Sequence, residues 1–421
     1  MTQTEKVVLP AAMMGPEVHQ IFDRLEAGGA TVRFVGGCVR DLLLGKAIAD
    51  IADYDLATDA TPSRVIELLE GKVLKVEPIG FEHGTILAVC RTKSFHITTL
   101  REDISTNGRH ALVRFTEDWA KDAQRRDFTI NALSANREGT LYDYVGGVSD
   151  LREGRIKFVG SPTERIEEDY LRILRFFRFY AIYGKTVVDR NTLDACRASV
   201  SKVQELSGER IWHELKLILK AHNLDPTFTL MRDIGLLQSL LPADCSIDHL
   251  FALARVEATL SVPADAIRRL VALTRIDPRD AADLTSRLKL SNAEARRIKK
   301  LCSLRGASQP DMDSLVLSSN MYRSGEKTFR DSILLDWADQ KVQTPLEAIH
   351  LQQRWRKTWD CAAIWVRPHF LLKGEDILEY GVEQGPRVGE ILSEVEQWWV
   401  NQEFRPDRKA CLKKVRTLLK C

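Results

Sequence analysis

The sequence predicts an α+β head with a mixed sheet, followed by an all-α remainder. Three observations carry that prediction. Strand-length runs rich in β-branched residues cluster in the first quarter of the chain: Val32–Val35, Val73–Val76, Thr85–Cys90 and Phe95–Leu100. Helical apolar spacing lies between them. From Asn191 onward the apolar pattern is helical throughout.

Taken in order, Pro16–Ala27 places Val18, Ile21, Phe22 and Leu25 on one helical face and stops at Gly28-Gly29. The strand Val32–Val35 runs into a turn at Gly36 and Gly37, and the helix that follows opens with Arg40 and Asp41 and closes near Gly45. The next strand carries Asp53 and Asp55 around Tyr54, so both carboxylates project from one face. Thr61-Pro62 starts a helix with Val65, Ile66, Leu68 and Leu69 facing inward. Three strands follow. Residues 101–118 are polar, with a turn signal at Asn107-Gly108, and read as a mobile loop. Residues 141–160 read as strand, turn and strand, and 162–180 as a helix start followed by a long helix. Ser207-Gly208-Glu209-Arg210 reads as a capped helix start.

The bulk properties exclude several classes. A chain of 421 residues is long enough for about two to four domains. With 44% hydrophobic and 29% charged residues it is ordinary for a soluble globular protein, and no run of about 18 apolar residues suggests a membrane span. A net charge of +2 neither demands nor excludes a nucleic-acid partner. The eight cysteines are scattered singly without a CxxC, which argues against a zinc knuckle or redox pair and for reduced thiols in the cytoplasm. The N-terminus shows no basic region followed by a long apolar core, so no signal peptide is expected.

The chemistry concentrates in three stretches. In the first, glycines let backbone N–H groups approach a phosphate at a helix N-terminus, and the paired Asp53 and Asp55 repel each other unless a cation lies between them. That combination points to metal-assisted phosphoryl or nucleotidyl transfer. The second is DAQRRDFTINA, Asp122–Ala132. Its arginines can reach a triphosphate, Asp127 can accept from ribose hydroxyls, and Asn131 can donate or accept. The third is Glu168-Asp169 with Arg172. At i and i+3 of a helix, Asp169 and Arg172 are neighbours. A carboxylate accepts from an exocyclic amino group and a guanidinium donates to a ring nitrogen or carbonyl, so the pair can imitate a Watson–Crick partner for cytosine or adenine. Uracil O4 and guanine O6 are acceptors and would face the carboxylate unfavourably. The bland alternative is an ordinary ion pair worth about 0.2–0.5 kcal/mol.

The run G-G-x-V-R-D-x-L-L-G followed by D-Y-D, then RRDFTINA and E-D-x-x-R, resembles the class II CCA-adding tRNA nucleotidyltransferase and bacterial poly(A) polymerase family, within the polymerase-beta-like nucleotidyltransferases. The likeness covers roughly residues 30–215. It implies a nucleotidyltransferase head at 1–145, a base-recognising neck at 146–220 and a helical body and tail at 221–421 that bind tRNA. It implies that Asp53 and Asp55 are catalytic and hold Mg²⁺, that Gly36, Gly37 and Arg40 bind the triphosphate with Arg126, and that Asp127 and Asn131 support the sugar. It also counts Arg175 and Arg178 with Asp169 and Arg172 among the nucleotide contacts. Helical geometry is less generous to Arg178: three residues advance about 300°, which puts it roughly opposite Asp169. The resemblance further implies that the 101–118 loop reshapes the pocket between CTP and ATP. Asp143, Gly146, Gly147, Asp150 and Leu151 match the family connector, and the stretch at Ser207 matches its structural fifth motif. His96 is a departure, because many relatives carry Glu there as a third carboxylate.

The function these features imply is template-independent addition of CCA to tRNA 3′ ends from CTP and ATP by two-metal catalysis. A poly(A) polymerase, a CC-only or A-only enzyme, and a non-catalytic RNA-binding protein are the rival readings. Two basic stretches, Arg287–Arg305 and Arg405–Lys420, are candidate phosphate tracks. The tryptophans of the helical half read as core, and Asp248-His249 as surface. The sequence leaves the oligomeric state open.

Overall fold

Strand alternation and helix periodicity build two units. The computed structural model describes residues 5–46, 54–71, 74–91, 93–107, 110–242 and 245–419. It divides into compact units at 1–240 and 241–421.

The strands of the first unit are β1 (Glu5–Lys6), β2 (Val32–Val35), β3 (Tyr54–Thr58), β4 (Leu74–Gly80), β5 (Thr85–Cys90), β6 (Lys93–Thr99), β7 (Arg101–Asn107), β8 (His110–Phe115), β9 (Ser134–Ala135) and β10 (Thr140–Tyr142). Among the described residues eight of them form one sheet in the order β1-β10-β9-β2-β3-β6-β5-β4. β3 runs antiparallel to β2 and parallel to β6, which makes the sheet mixed, as expected. The first helices are α1 (Pro16–Ala27), α2 (Gly37–Leu43) and α3 (Pro62–Leu69). α1 buries Val18, Ile21, Phe22 and Leu25, the four residues its spacing selects, and the Phe22 ring meets Phe34 of β2 at 5.1 Å. In α3, Val65 and Leu69 are buried, while Ile66 and Leu68 are half-buried. α2 begins at Gly37, three residues before the sequence reading places it. Asp53 lies outside the described residues.

The polar stretch read as a mobile loop is instead a hairpin, β7 against β8, with Arg101 opposite Phe115 and Glu102 opposite Arg114. Its polar composition hides it: at Ile104 the one large apolar side chain of β7 is 55% exposed, and a Glu102–Arg114 ion pair joins the strands at 2.5 Å.

Beyond the hairpin come α4 (Trp119–Gln124), α5 (Gly147–Glu153), α6 (Pro162–Glu168), α7 (Leu171–Tyr183), α8 (Arg190–Ala198) and α9 (Gly208–Lys220). The expected turn within 141–160 is the helix α5, and its second strand is reduced to a Phe128–Phe158 bridge. Asp143 explains the helix: its carboxylate accepts the N–H groups of Val145, Gly146, Gly147 and Val148, which start α5. Gly147 has a further reason, since a Cβ there would meet the Thr129 carbonyl at 2.1 Å.

The second unit is helical where it is described, and includes Ile247–Thr259, Ala266–Thr274, Asn292–Ser303, Glu326–Gln343, Pro345–Ile364, Pro386–Asn401 and Arg408–Leu419. Trp337, Trp355 and Trp399 are buried, and the first two stack at 6.1 Å. Trp359, Trp365 and Trp398 are half-buried. Asp248 is exposed as read, but His249 is buried and shares a 2.7 Å hydrogen bond with the Ser246 hydroxyl. Arg268 lies between Glu257 and Asp331, and Arg297 between Asp331 and Asp265.

Candidate active site

The glycine turn after β2 is the floor of the site. Gly36 adopts φ +69°, ψ −124°, a conformation essentially restricted to glycine. A Cβ there would come within 3.4 Å of Arg126 Nη1. The turn opens a cavity of about 540 Å³ lined by Gly36, Gly37, Arg40, Asp55, Arg126, Asp127, Asn131, Asp169, Arg172 and Arg175, among others. Three stretches that are far apart in sequence therefore meet in one cleft, and its walls are dominated by guanidinium groups.

RRDFTINA is wired into this floor. Arg40 Nη1 donates to Asn131 Oδ1 at 2.6 Å, and Arg40 Nε contacts Asp41 at 3.0 Å. Its guanidinium also sits over the Tyr183 ring at 4.6 Å. Arg125 and Arg126 share the buried Asp122: Arg125 Nε reaches Oδ1 at 2.8 Å and Arg126 Nη2 reaches Oδ2 at 3.0 Å. Burial pushes Asp122 up, but the two guanidinium groups outweigh it and hold the carboxyl below its ordinary range. Asp127 behaves in the same way. Burial raises it, yet Arg175, with hydrogen bonds from Asn131 and the Phe128 N–H, brings it net below the ordinary value. Arg175 Nε donates to Asp127 Oδ2 at 2.7 Å.

The E-D-x-x-R stretch departs from the expected geometry. Asp169 is not inside a helix. It is extended, at φ −158° and ψ 107°, between α6 and α7. Asp169 Oδ1 accepts the Leu171 N–H at 3.1 Å, a local side-chain bond that competes with helix continuation, and Oδ2 accepts from Arg210 Nη2 at 2.7 Å. Arg172 pairs with Glu168 and donates to the Arg165 carbonyl at 2.9 Å. Asp169 and Arg172 are therefore each paired with another residue rather than joined as an i,i+3 ion pair, although both line the cavity.

Arg178 is the other correction. It is absent from the described lining of the cavity; it donates to Glu214 of α9 at 3.2 Å and stacks over Phe179 at 4.5 Å. Because Asp169 lies outside α7, the rotation counted along one helix does not relate the two residues; the Glu214 contact is what the structure shows for Arg178.

Asp55 is half-exposed on β3 and lines the cavity. His96 is its direct partner on the parallel strand β6, with Nδ1 3.9 Å from Asp55 Oδ1. A carboxylate exposed to the cleft is an oxygen donor of the kind that would hold a hard divalent cation, which would supply charge neutralisation there.

Sequence reasoning missed Arg101, Asp103, Phe179 and Arg210 in the lining. Arg101 and Asp103 sit where the sequence reads as loop. Burial, with Arg125 alongside, pushes Arg101 down to about 10. In the sequence Arg210 reads as part of a helix start.

In the second unit, the basic stretch Arg287–Arg305 separates into two groups. Arg297 is held by Asp265 and Asp331, and Arg305 donates to the Arg275 carbonyl at 3.0 Å. Arg287, Lys289, Arg296, Lys299 and Lys300 are exposed. In the C-terminal stretch Arg405 pairs with Glu403, Arg408 with Asp376, and Arg416 with the Tyr380 hydroxyl. Lys420 lies outside the described residues.

Comparison with known proteins agrees with this architecture. Residues 32–157 match the family model described as Poly A polymerase head domain. Residues 187–244 match the model for the RNA- and SrmB-binding site of polymerase A, and 259–415 that for tRNA nucleotidyltransferase domain 2. The mitochondrial CCA tRNA nucleotidyltransferase 1 of Danio rerio is 36% identical over 388 residues, covering 90% of this chain and 86% of the relative. The CCA-adding enzyme of Staphylococcus haemolyticus is 31% identical over 395 residues, covering 91% and 94%. The crystal structure of the Bacillus stearothermophilus CCA-adding enzyme in complex with CTP superposes with a TM-score of 0.70 at 24% identity, covering 97% of this chain and 100% of that one. The Thermotoga maritima CCA-adding enzyme complexed with tRNA gives 0.64 at 22% identity, with both chains fully covered.

The fold is that of a polymerase-beta-like nucleotidyltransferase head followed by helical domains, a type that uses divalent metal ions. The chain belongs to the class II CCA-adding tRNA nucleotidyltransferase family. Among the described residues no helix is long and apolar enough to cross a membrane.

Proposed function

We propose that this chain adds C, C and A to tRNA 3′ ends from CTP and ATP without a nucleic-acid template. The observation that carries the reading is the convergence of the glycine turn, Asp55, RRDFTINA and the Asp169–Arg172 stretch on one arginine-walled cavity. A cleft so lined suits a triphosphate, because each guanidinium offers a fork of donors to phosphate oxygens.

Asp55 and Asp53 are the residues that would hold Mg²⁺. Bound there, Mg²⁺ would supply charge neutralisation at the triphosphate and acidify the RNA 3′-hydroxyl. The other roles belong to the chain itself. Gly36 and Gly37 let the backbone approach the phosphates, and Arg40 and Arg126 bind them. Asp127 and Asn131 hold the ribose edge, with Arg175 keeping Asp127 charged and oriented. Asp169 accepts the exocyclic amino group of cytosine or adenine, and Arg172 donates to the ring. Arg178 supports α7 through Glu214. The head at 1–145, neck at 146–220 and body and tail at 221–421 divide these tasks, with the exposed cations around Lys299 and Lys300 available to tRNA phosphates. Single scattered thiols favour the cytoplasm, and fractionation of a tagged chain tests that against the mitochondrial location in some relatives' names.

The test is incorporation on three tRNAs that lack the whole CCA end, its last two nucleotides or only the final A, each with CTP, ATP or both and Mg²⁺. Two C residues, then one A, then arrest is the expected outcome. A long A tail without C addition marks a poly(A) polymerase, and addition of only CC or only A marks a partial enzyme. Asp55→Ala is expected to abolish transfer with an unchanged circular dichroism spectrum; surviving metal-dependent incorporation overturns its catalytic role.

A further inference from the structure

We propose that Arg210 is a positioning residue for base selection, acting through Asp169. The inference rests on the reading of Asp169 as the group that meets the base. Asp169 lies in the extended break between α6 and α7, so no helical backbone fixes its side chain. Two contacts do so instead. The Leu171 N–H takes one carboxylate oxygen, and Arg210 Nη2, from the first turn of α9, takes the other at 2.7 Å. Both residues are largely buried, with about a fifth of each side chain exposed, and both line the cavity.

The consequence is geometric. A carboxylate with one oxygen tied to a neighbouring backbone N–H and the other to a guanidinium has its plane fixed. Its remaining lone pairs are then fixed in direction, so that an amino group placed along one of them can donate and a carbonyl oxygen there is repelled. Arg172 needs no such help, because Glu168 and the Arg165 carbonyl already hold it. Without Arg210 the Asp169 carboxylate keeps, among the described residues, only its bond to Leu171 and can rotate. Discrimination by direction is then lost, while binding of the triphosphate by other residues persists. The arginine in this helix start therefore has a task beyond starting a helix.

The experiment is a double-mutant cycle with Arg210→Ala, Asp169→Ala and the double variant, read as the ratio of kcat/KM for CTP to that for UTP, and for ATP to that for GTP. Arg210→Ala is expected to lower both ratios about tenfold, and the double variant to be no worse than Asp169→Ala alone. Arg210→Lys, which keeps the charge without the fork, is expected to recover part of the ratio. Thermal unfolding of each variant separates a loss of fold, which lowers rates with all four nucleotides together, from a loss of selection. Ratios unchanged in a folded Arg210→Ala, or effects that add to those of Asp169→Ala, overturn the proposal. Should Asp169→Ala itself leave the ratios unchanged, the base-selection reading fails, and this inference with it; a defect in Asp169→Ala alone sinks only the role of Arg210.

Discussion

Removing the Asp127 carboxylate tests how the cavity is held together. Asp127 accepts from Arg175, from Asn131 Nδ2 at 3.2 Å and from the Phe128 N–H at 2.9 Å, and its side chain is 10% exposed. Breaking a buried ion pair from one side costs about 3–5 kcal/mol. Arg175 is 31% exposed to the cavity, so water screens the orphaned guanidinium, and about 2–3 kcal/mol is the appropriate expectation for Asp127→Ala. In a domain of 150–250 residues each kcal/mol moves Tm by about 2–4 °C, which puts the shift at roughly 4–12 °C. Arg175→Ala leaves the opposite charge orphaned and should cost a similar amount. The double variant should cost less than the sum by at least about 1 kcal/mol. Calorimetry and urea unfolding measure this directly; a Tm shift under about 1 °C for either single variant, or additive losses, would refute the reasoning. The pair also predicts a pH dependence. Because the folded carboxyl titrates below its ordinary value, its contribution is fully present above the unfolded pKa of about 3.9 and is lost as pH falls through the folded value. Wild type should therefore lose more stability than Asp127→Ala between neutral pH and about pH 3.

Three other outcomes follow from the same geometry. Gly36→Ala forces a side chain into a glycine-only conformation beside Arg126 and should cost about 1–3 kcal/mol, while raising KM for both nucleotides; an unchanged KM argues that the turn does not meet the phosphates. Arg178→Ala removes the partner of the buried Glu214 and should lower Tm while leaving the ratio of CTP to UTP use untouched, and a changed ratio with normal Tm would restore it to the nucleotide site. Reversing Lys299 and Lys300 to Glu should weaken tRNA binding and flatten its salt dependence, whereas the same affinity at every salt concentration places the RNA elsewhere.

Much of the head was legible because its signals are local. Apolar spacing picked out all four buried residues of α1, and β-branched runs located β5 to the residue. The hairpin at Arg101–Phe115 escaped because periodicity detects a strand through apolar alternation, and the run REDISTN of β7 carries a single apolar residue. The helix α5 escaped because Gly146-Gly147 ordinarily signals a turn; the capping contacts of Asp143 are what convert it into a helix start. In the site, the residue types were readable from three motifs, but their pairings were not. Glu168, Asp169, Arg172 and Arg175 sit within a few residues of one another, yet Asp169 finds Arg210 and Arg175 finds Asp127, 41 and 48 positions away.

By itself the sequence determined the α+β head, the helical remainder, the acidic and glycine-rich strand–turn–helix, and the set of charged residues available for phosphate chemistry. Those properties follow from side-chain alternation, helical period and backbone freedom, which act over a few residues. Only the tertiary structure decided which charges meet. Asp169 left its helix, Arg210 entered the cleft, Arg178 turned to Glu214, and Arg297 withdrew to Asp265 and Asp331. A buried or half-buried charge requires a partner, and which partner it takes depends on the elements packed against it, a contact that no short window of sequence contains.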